Sequence, residues 1–179
     1  MGNYFSNQLI TGVNNCLFNC AKIKAGTNML ILNMISDSFN PVDEEVVTAL
    51  ATTAQLAGAR VQILWTSGME KGWWDEVPPI VLGAFGAADL VINNTIAIGR
   101  PLKAVRNLMF GKGITMVRNM ATTVQVLSSE WGTFPFALSD EITKRVGMRL
   151  DGGKTWRITH PNGTDITGQV GSAPTKGTG

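Results

Sequence analysis

Hydrophobic positions along most of the chain alternate between helical spacing and short continuous runs. Over residues 6–24, apolar side chains recur every three or four positions, which predicts a helix that closes at Gly26. Residues 28–35 then form a short, nearly all-apolar run, which is typical of a strand covered on both faces of a sheet. The same alternation predicts further strands at 60–65, 89–93 and 113–118, and further helices at 41–58, 78–88, 101–110 and 139–150.

The ends of two predicted helices carry starting signals. Pro41 suits the first position of a helix, and the three acidic residues after it favour the positive end of the helix dipole. Ser139 is the expected N-cap of the last helix. Repeated strand–helix units with right-handed crossovers give an open, mostly parallel sheet with helices on both faces. We therefore predict the α/β class, with residues 1–150 as the α/β domain.

The C-terminal part of the chain changes to a strand pattern. Residues 154–160 and 164–170 each alternate polar and apolar side chains, and Pro161-Asn162-Gly163 between them is a turn sequence. We predict an antiparallel β-hairpin that starts a second, β-rich unit over residues 151–171. Residues 172–179 are small, polar and aperiodic, so we expect a flexible tail or linker there.

Composition describes an ordinary globular chain. The 179 residues are 44% hydrophobic, and 15 Lys and Arg nearly balance 13 Asp and Glu. Because no basic block is present, we expect no nucleic-acid partner. No leader pattern and no uncharged apolar stretch of the ~20 residues that span a bilayer occurs, so we expect a cytoplasmic protein without membrane contact. Cys16 and Cys20 share one face of the first predicted helix, and we expect buried free thiols.

The chain has a single histidine, His160, and this count excludes more kinds of catalytic site than any other feature of the composition. Catalytic zinc and non-haem iron sites usually take two or three imidazoles from one chain. Ser/His/Asp and Cys/His catalysis would have to use this one residue beside a turn as its base. An enzyme complete within these residues is therefore disfavoured.

Polar residues follow each predicted strand, where open α/β sheets bind ligands. These positions are Ser36, Asp37, Thr66, Ser67, Asn93, Asn94, Thr95, Arg118 and Asn119. From them we predict a small-molecule site formed by Asn93, Asn94, Thr95, Arg118 and Asn119. The alternative, that these residue types cap helices and fill turns, stays open.

Two further features bear on ligands and partners. No glycine-rich phosphate loop follows the first strand, so nothing favours a nucleotide. Trp73 and Trp74 lie in the segment that joins a strand to a helix. They suit an oligomer contact, an aromatic wall over a ligand, or packing of the segment on its own domain.

Several segments resemble a known enzyme group. They are residues 91–95, 113–120 and, above all, 156–167, which read WRITHPNGTDIT. Residues 20–31 are also similar to the first helix and first strand of that group. The group comprises the thermophilic aminopeptidases (peptidase family M29) and 2,5-dihydroxypyridine dioxygenase. The resemblance is to its amino-terminal half and extends to about Val170.

The resemblance implies an α/β domain that leads into a β-rich domain. In the group the metal is held by Glu, His and Asp residues of the C-terminal half, and none of these matches a residue here. We therefore assign no catalytic and no metal-binding residue, and expect no cofactor within this chain. For a complete family member, the resemblance implies a divalent metal: iron, zinc, cobalt or manganese.

The leading hypothesis is an amino-terminal scaffold domain or subunit of such a metal-dependent enzyme. It implies a small-molecule substrate and assembly as a homo-oligomer or with a partner subunit. Two alternatives stay open: a stand-alone α/β binding or assembly protein without metal, and a structural subunit that completes a partner carrying the metal residues. The residues present do not separate aminopeptidase-like from dioxygenase-like chemistry.

Overall fold

The computed structural model describes residues 6–35, 41–67, 77–95, 103–151 and 153–169. Contacts divide the chain into two units, Met1–Phe134 and Pro135–Gly179. Within the described ranges, no helix is both long enough and apolar enough to cross a bilayer.

The first unit alternates strands with helices, as the hydrophobic pattern predicts. Its strands are β1 (Asn28–Met34), β2 (Arg60–Thr66), β3 (Leu90–Asn93) and β4 (Thr115–Arg118). Its helices are α1 (Asn7–Asn14), continued by a π-helix at Asn15–Cys20, then α2 (Glu44–Leu56), α3 (Pro79–Gly86), α4 (Lys103–Lys112), α5 (Val124–Leu127) and α6 (Glu130–Thr133). The short helices α5 and α6 have no counterpart in the sequence-based prediction.

The four strands form one parallel sheet in the order β2-β1-β3-β4. Leu32 of β1 lies opposite Leu64 of β2 and Asn93 of β3. Asn93 in turn lies opposite Arg118 of β4. This sheet confirms the predicted α/β class.

Helices cover both faces of the sheet, because successive side chains of a strand point to opposite faces. Met29 and Ile31 of β1 pack with α1 and α2 on one side, which we call the α1–α2 face. Leu30 and Leu32 pack with Phe85 of α3 and with α4 on the other side, which we call the α3–α4 face. Polar residues at the ends of the strands are therefore assigned to one face or the other by their place in this alternation.

The predicted start of α2 is wrong. The helix begins at Glu44 rather than at Pro41, because residues before it are tied to the segment after β4. The Pro41 carbonyl accepts the Thr122 hydroxyl at 2.8 Å, and the Asp43 N–H donates to the Thr122 carbonyl at 3.0 Å. Asp43 is extended, and its carboxylate accepts the N–H of Val124 at 2.8 Å.

The second unit consists of a helix and a hairpin. These are α7 (Phe136–Asp151), β5 (Thr155–His160) and β6 (Thr164–Gln169). The two strands pair antiparallel, with Ile158 opposite Ile166, which confirms the predicted hairpin. The sequence-based division places a domain boundary after residue 150, whereas the contacts group α7 with the hairpin.

The assignment of Ser139 as an N-cap is wrong. α7 begins at Phe136, so Ser139 lies inside the helix. The Pro135 carbonyl accepts the N–H groups of Leu138 and Ser139 at 3.0 and 3.2 Å. Proline is tolerated at a helix start because the N–H group that it lacks would have no partner within the helix there.

Candidate functional site

The strand order indicates where a ligand crevice is expected in this sheet. The chain forms β2 on one side of β1 and later β3 on the other side, so the direction of strand addition reverses between β1 and β3. Open α/β sheets bind ligands beyond the carboxyl ends of their strands at such a point. Asn33 of β1 and Asn94, which follows β3, lie there.

Three buried asparagines form a hydrogen-bonded row across this point, which we call the asparagine row. Asn33, Asn94 and Asn119 lie at the carboxyl ends of β1, β3 and β4, with exposed fractions of 0%, 0% and 7%. Nδ2 of Asn94 donates to Oδ1 of Asn33 at 2.7 Å, and Nδ2 of Asn119 donates to Oδ1 of Asn94 at 2.9 Å. The row therefore joins three adjacent strands through side-chain amides.

The asparagine row belongs to the α1–α2 face. Asn33 follows the core residue Ile31 by two positions, and Asn94 follows Ile92 in the same way. The backbone continues the sheet at this level, since the Asn94 N–H donates to the Leu32 carbonyl at 2.9 Å. Lateral neighbours in a parallel sheet thus bring the three amides into contact.

A backbone group sets the direction of the donors in the row. Oδ1 of Asn119 accepts the N–H of Ala121 at 3.1 Å, and a backbone N–H can only donate. Nδ2 of Asn119 therefore faces Asn94, and this orients the amides of Asn94 and Asn33 in the same sense. The row ends at Nδ2 of Asn33, which is buried without a hydrogen-bond partner among the described residues. A buried donor left unpaired costs about 1–3 kcal/mol.

Asn93 and Thr95 form a local turn beside the row. Oδ1 of Asn93 accepts the Thr95 N–H at 3.0 Å and the Thr95 hydroxyl at 2.9 Å. Asn93 lies on the α3–α4 face, where its Nδ2 is 4.0 Å from the sulfur of Met116. Asparagine commonly shapes turns in this way. Of the five predicted site residues, only Asn94 and Asn119 join the row, and a ligand role for all five stays a prediction.

The remaining candidates lie around this edge or outside the described residues. Arg118 is exposed at the end of β4, so its charge is at the same edge of the sheet. Thr66 is half-buried, and its carbonyl accepts the N–H of Ile35 at 2.8 Å; Ser67 is exposed. Four candidates lie outside the described residues: Ser36, Asp37, Trp73 and Trp74.

The prediction from sequence omits Asn33. The residue lies inside an otherwise apolar run, and it belongs to β1 rather than to the segment after it. One amide within a buried strand was a usable signal, because a buried side-chain amide needs partners. Trp65 of β2 lies opposite Asn33 in the register and is half-buried.

The two cysteines are free and half-buried, at the π-helix that follows α1. Burial, with the nearby Cys20 as a second cause, raises the pKa of the Cys16 thiol to about 12. Burial also raises the pKa of Cys20. Because the thiolate is the reactive form, neither residue is suited to nucleophilic work near neutral pH.

Metal-ligating side chains do not gather in the part of the chain that the structure describes. No group of three or more His, Cys, Asp or Glu residues there is placed to hold a metal ion. His160 is exposed at the end of β5, and its Nδ1 accepts the N–H of Asn162 at 3.3 Å. On the same hairpin, the Arg157 guanidinium donates to both oxygens of Asp165 at 2.7 Å and lowers the pKa of that carboxyl.

Comparison with known proteins gives a likeness of fold to a solved structure. No protein-family model and no curated protein matches the sequence. Among solved structures, 2,5-dihydroxypyridine dioxygenase from Pseudomonas putida KT2440 is similar, with a TM-score of 0.64 and 14% sequence identity. The alignment covers 94% of this chain and 49% of the dioxygenase chain. The likeness therefore concerns the fold, and this chain spans about half the length of that structure.

Proposed function

We propose that this chain is the amino-terminal scaffold domain or subunit of a metal-dependent enzyme whose metal site lies outside these residues. The observation that carries the proposal is the unequal coverage in the structural comparison, 94% of this chain against 49% of the dioxygenase chain. The sequence resemblance to the same group, strongest in residues 156–167, supports it independently of the fold.

The residues of this chain do not fit a divalent metal on their own. A catalytic zinc or non-haem iron ion needs about three protein ligands with an open position, and iron favours two histidines with a carboxylate. His160 is the only imidazole, and no such group forms among the described residues. On this proposal iron, zinc, cobalt or manganese is held by residues beyond this sequence, and we assign this chain no chemical step.

Two activities are consistent with the proposal. A ring-cleaving, dioxygenase-like enzyme is favoured, because a solved structure of similar fold is 2,5-dihydroxypyridine dioxygenase. An M29-like aminopeptidase is supported by the sequence resemblance alone. In either case this chain would contribute the sheet, the crevice beside the asparagine row and contacts to the rest of the assembly.

The proposal is tested on the native protein purified from cells that carry its gene. We expect bound metal by elemental analysis and consumption of 2,5-dihydroxypyridine with dioxygen uptake, both lost after chelation and restored by ferrous iron. Turnover of an aminoacyl substrate instead would support the peptidase alternative. A native protein without metal and without either activity under all added metals would contradict the proposal.

Assembly with a second chain is the expected context for the second unit. Large apolar side chains are exposed on α7 and on the hairpin, among them Ile142, Val146, Ile158 and Ile166. Exposed apolar side chains in such number mark interaction surfaces. We expect sedimentation of the purified chain to reveal self-association or a co-purifying partner at fixed stoichiometry.

A second candidate function rests on the asparagine row. A stand-alone binding protein would use the crevice between β1 and β3 for a small polar ligand without metal. Buried polar groups at the point where strand order reverses favour this candidate. Saturable binding by the metal-free chain, weakened by Asn94→Ala, would support it.

A further inference from the structure

We propose that the side-chain amide of Asn33 is the anchoring donor for a small ligand that presents a carboxylate or carbonyl oxygen. The inference rests on the crevice of the second candidate function, but it requires neither the metal nor a partner chain. It adds a residue, a hydrogen-bond direction and a ligand class that the predicted site does not contain.

Asn33 carries a buried donor at the β1 end of the asparagine row. Nδ2 of Asn33 has no hydrogen-bond partner among the described residues, and the residue is 0% exposed, so bulk water does not reach the nitrogen either. Buried side-chain amides in folded proteins are nearly always paired. The group that satisfies this one must supply an acceptor, because an amide nitrogen only donates.

Turning the Asn33 amide over does not remove this donor. If the Asn33 amide flipped, its nitrogen would face Nδ2 of Asn94, which donates to Oδ1 of Asn33 at 2.7 Å. Flipping Asn94 as well moves the same conflict to Asn119. Asn119 cannot be flipped in turn, because its Oδ1 accepts the N–H of Ala121 and a flip would place Nδ2 against that N–H. The row thus holds a donor at its β1 end.

The position of Asn33 in the sheet favours a ligand site. Asn33 lies beside the reversal of strand order between β1 and β3, which is where this class of sheet binds ligands. Arg118 takes no part in this, because it lies opposite Asn93 in the register and therefore on the α3–α4 face, whereas Asn33 belongs to the α1–α2 face. Asn94 and Asn119 are positioning residues in this account, since they act on the ligand only through Asn33.

Burial of Asn33 has a kinetic consequence. Because the amide is not exposed in the ligand-free chain, the ligand enters through a minor conformation in which the edge of the sheet opens locally. We therefore expect exchange between the free and bound states to be slow.

The test uses nitrogen-15 NMR of the full metal-free chain, observing the side-chain NH₂ signals of Asn33. Acetate, which only accepts hydrogen bonds, is titrated against methylammonium, which only donates and has a similar size. We expect a new, saturable set of Asn33 signals with acetate and none with methylammonium. The proposal would be overturned if acetate caused no saturable change or if both ions caused equal changes. It would also be overturned if the Asn33 NH₂ group showed only magnetisation transfer from a bound water, since water would then be its partner.

Two variants separate the anchoring role from a structural one. Asn33→Asp keeps the acceptor for Asn94 but removes the donor, and acetate affinity should fall at least tenfold. Asn119→Asp makes the β4 end of the row accept from Asn94, which reverses the donors and leaves an acceptor at Asn33. We expect it to abolish acetate binding and to permit methylammonium binding.

The controls keep these results interpretable. Asn107→Asp, on the exposed surface of α4, adds the same charge and should leave acetate binding unchanged. If either row variant unfolds, the wild-type titration alone decides the question. Failure of the acetate titration would leave the metal-dependent proposal intact, and absence of a metal from the native enzyme would leave the titration result intact.

Discussion

At the scale of single residues, the asparagine row holds the carboxyl ends of three strands together by side-chain hydrogen bonds instead of apolar packing. Each of its two inter-residue hydrogen bonds joins neighbouring strands, Asn33 with Asn94 and Asn94 with Asn119. Hydrogen bonds between buried amides are strengthened by the low local dielectric, and unmade ones are costly. The row therefore specifies how the ends of β1, β3 and β4 align.

Asn94→Leu tests this contribution to stability. The change keeps the branching of the side chain at Cγ but leaves Oδ1 of Asn33 and Nδ2 of Asn119 without their partner in the row. Oδ1 of Asn33 then has no partner in the row, and Nδ2 of Asn119 keeps only the long contact of 3.5 Å to the Ala121 carbonyl, so the free energy of unfolding should fall by about 1–4 kcal/mol. Urea denaturation measures the change.

Asn107→Leu on the exposed surface of α4 is the matched control for Asn94→Leu. It should change stability by less than about 0.5 kcal/mol. Equal effects of the two substitutions would show that the row does not stabilise the fold.

Cys16 gives a residue-scale prediction about pH. Its pKa is about 12 in the fold against 9.0 for an ordinary thiol, so the unfolded chain loses this proton first as pH rises. The free energy of unfolding should therefore fall between about pH 9 and pH 12, and the fall should be smaller in Cys16→Ala. Stability should not depend on this group below about pH 9. Denaturation series at several pH values would measure the difference, and identical slopes would contradict the assignment.

At the scale of elements, α1 and α5 pack more closely than ordinary side chains permit. A methyl group on Gly12 of α1 would overlap the carbonyl oxygen of Leu127 at the end of α5. The close approach of α5 therefore requires glycine at position 12, although glycine is a poor helix former. Leu127 is also part of the core on the α1–α2 face.

Gly12→Ala should destabilise the protein although alanine is the better helix former. The gain in helix propensity is about 1 kcal/mol, whereas overpacking against backbone costs about 1–3 kcal/mol. Gly83→Ala is the matched control, since nothing lies within 4 Å of a methyl group there in α3. It should stabilise by up to about 1 kcal/mol. Thermal unfolding of both variants measures the contrast, and stabilisation by Gly12→Ala would contradict the described contact.

The elements that sequence predicts well are those whose pattern is complete within one segment. β1 and the hairpin follow directly from runs of apolar and alternating residues, as found. The start of α2 depends on hydrogen bonds to Thr122, far along the chain, and could not be obtained from Pro41 alone. α5 and α6 have four residues each, too few for a helical period to emerge.

At the scale of the whole molecule, the alternation of strands and helices predicts the parallel sheet but not the order of its strands. The order β2-β1-β3-β4 is set by where each crossover returns, which hydrophobic periodicity does not encode. The reversal between β1 and β3 was therefore not predictable, and neither was the meeting of Asn33 with Asn94. Asn94 and Asn119 were found because they follow strands, while Asn33 required the register.

The fold of this chain corresponds to part of a longer enzyme of known structure. A chain whose fold covers about half of a dioxygenase, and whose described residues gather no metal ligands, is proposed to work as part of a larger metal-dependent enzyme. The scaffold role and the ligand anchor at Asn33 are compatible. The scaffold role concerns assembly of this chain with the residues that hold the metal, whereas the anchor concerns a small ligand bound by this chain alone.

Native mass spectrometry of the protein purified from its own cells tests whether this chain works as part of a larger metal-dependent enzyme. We predict that this sequence is either part of a chain longer by on the order of another 100–200 residues or in a fixed complex with a second chain, with a divalent metal retained. A metal-free species composed of this 179-residue chain alone would contradict it.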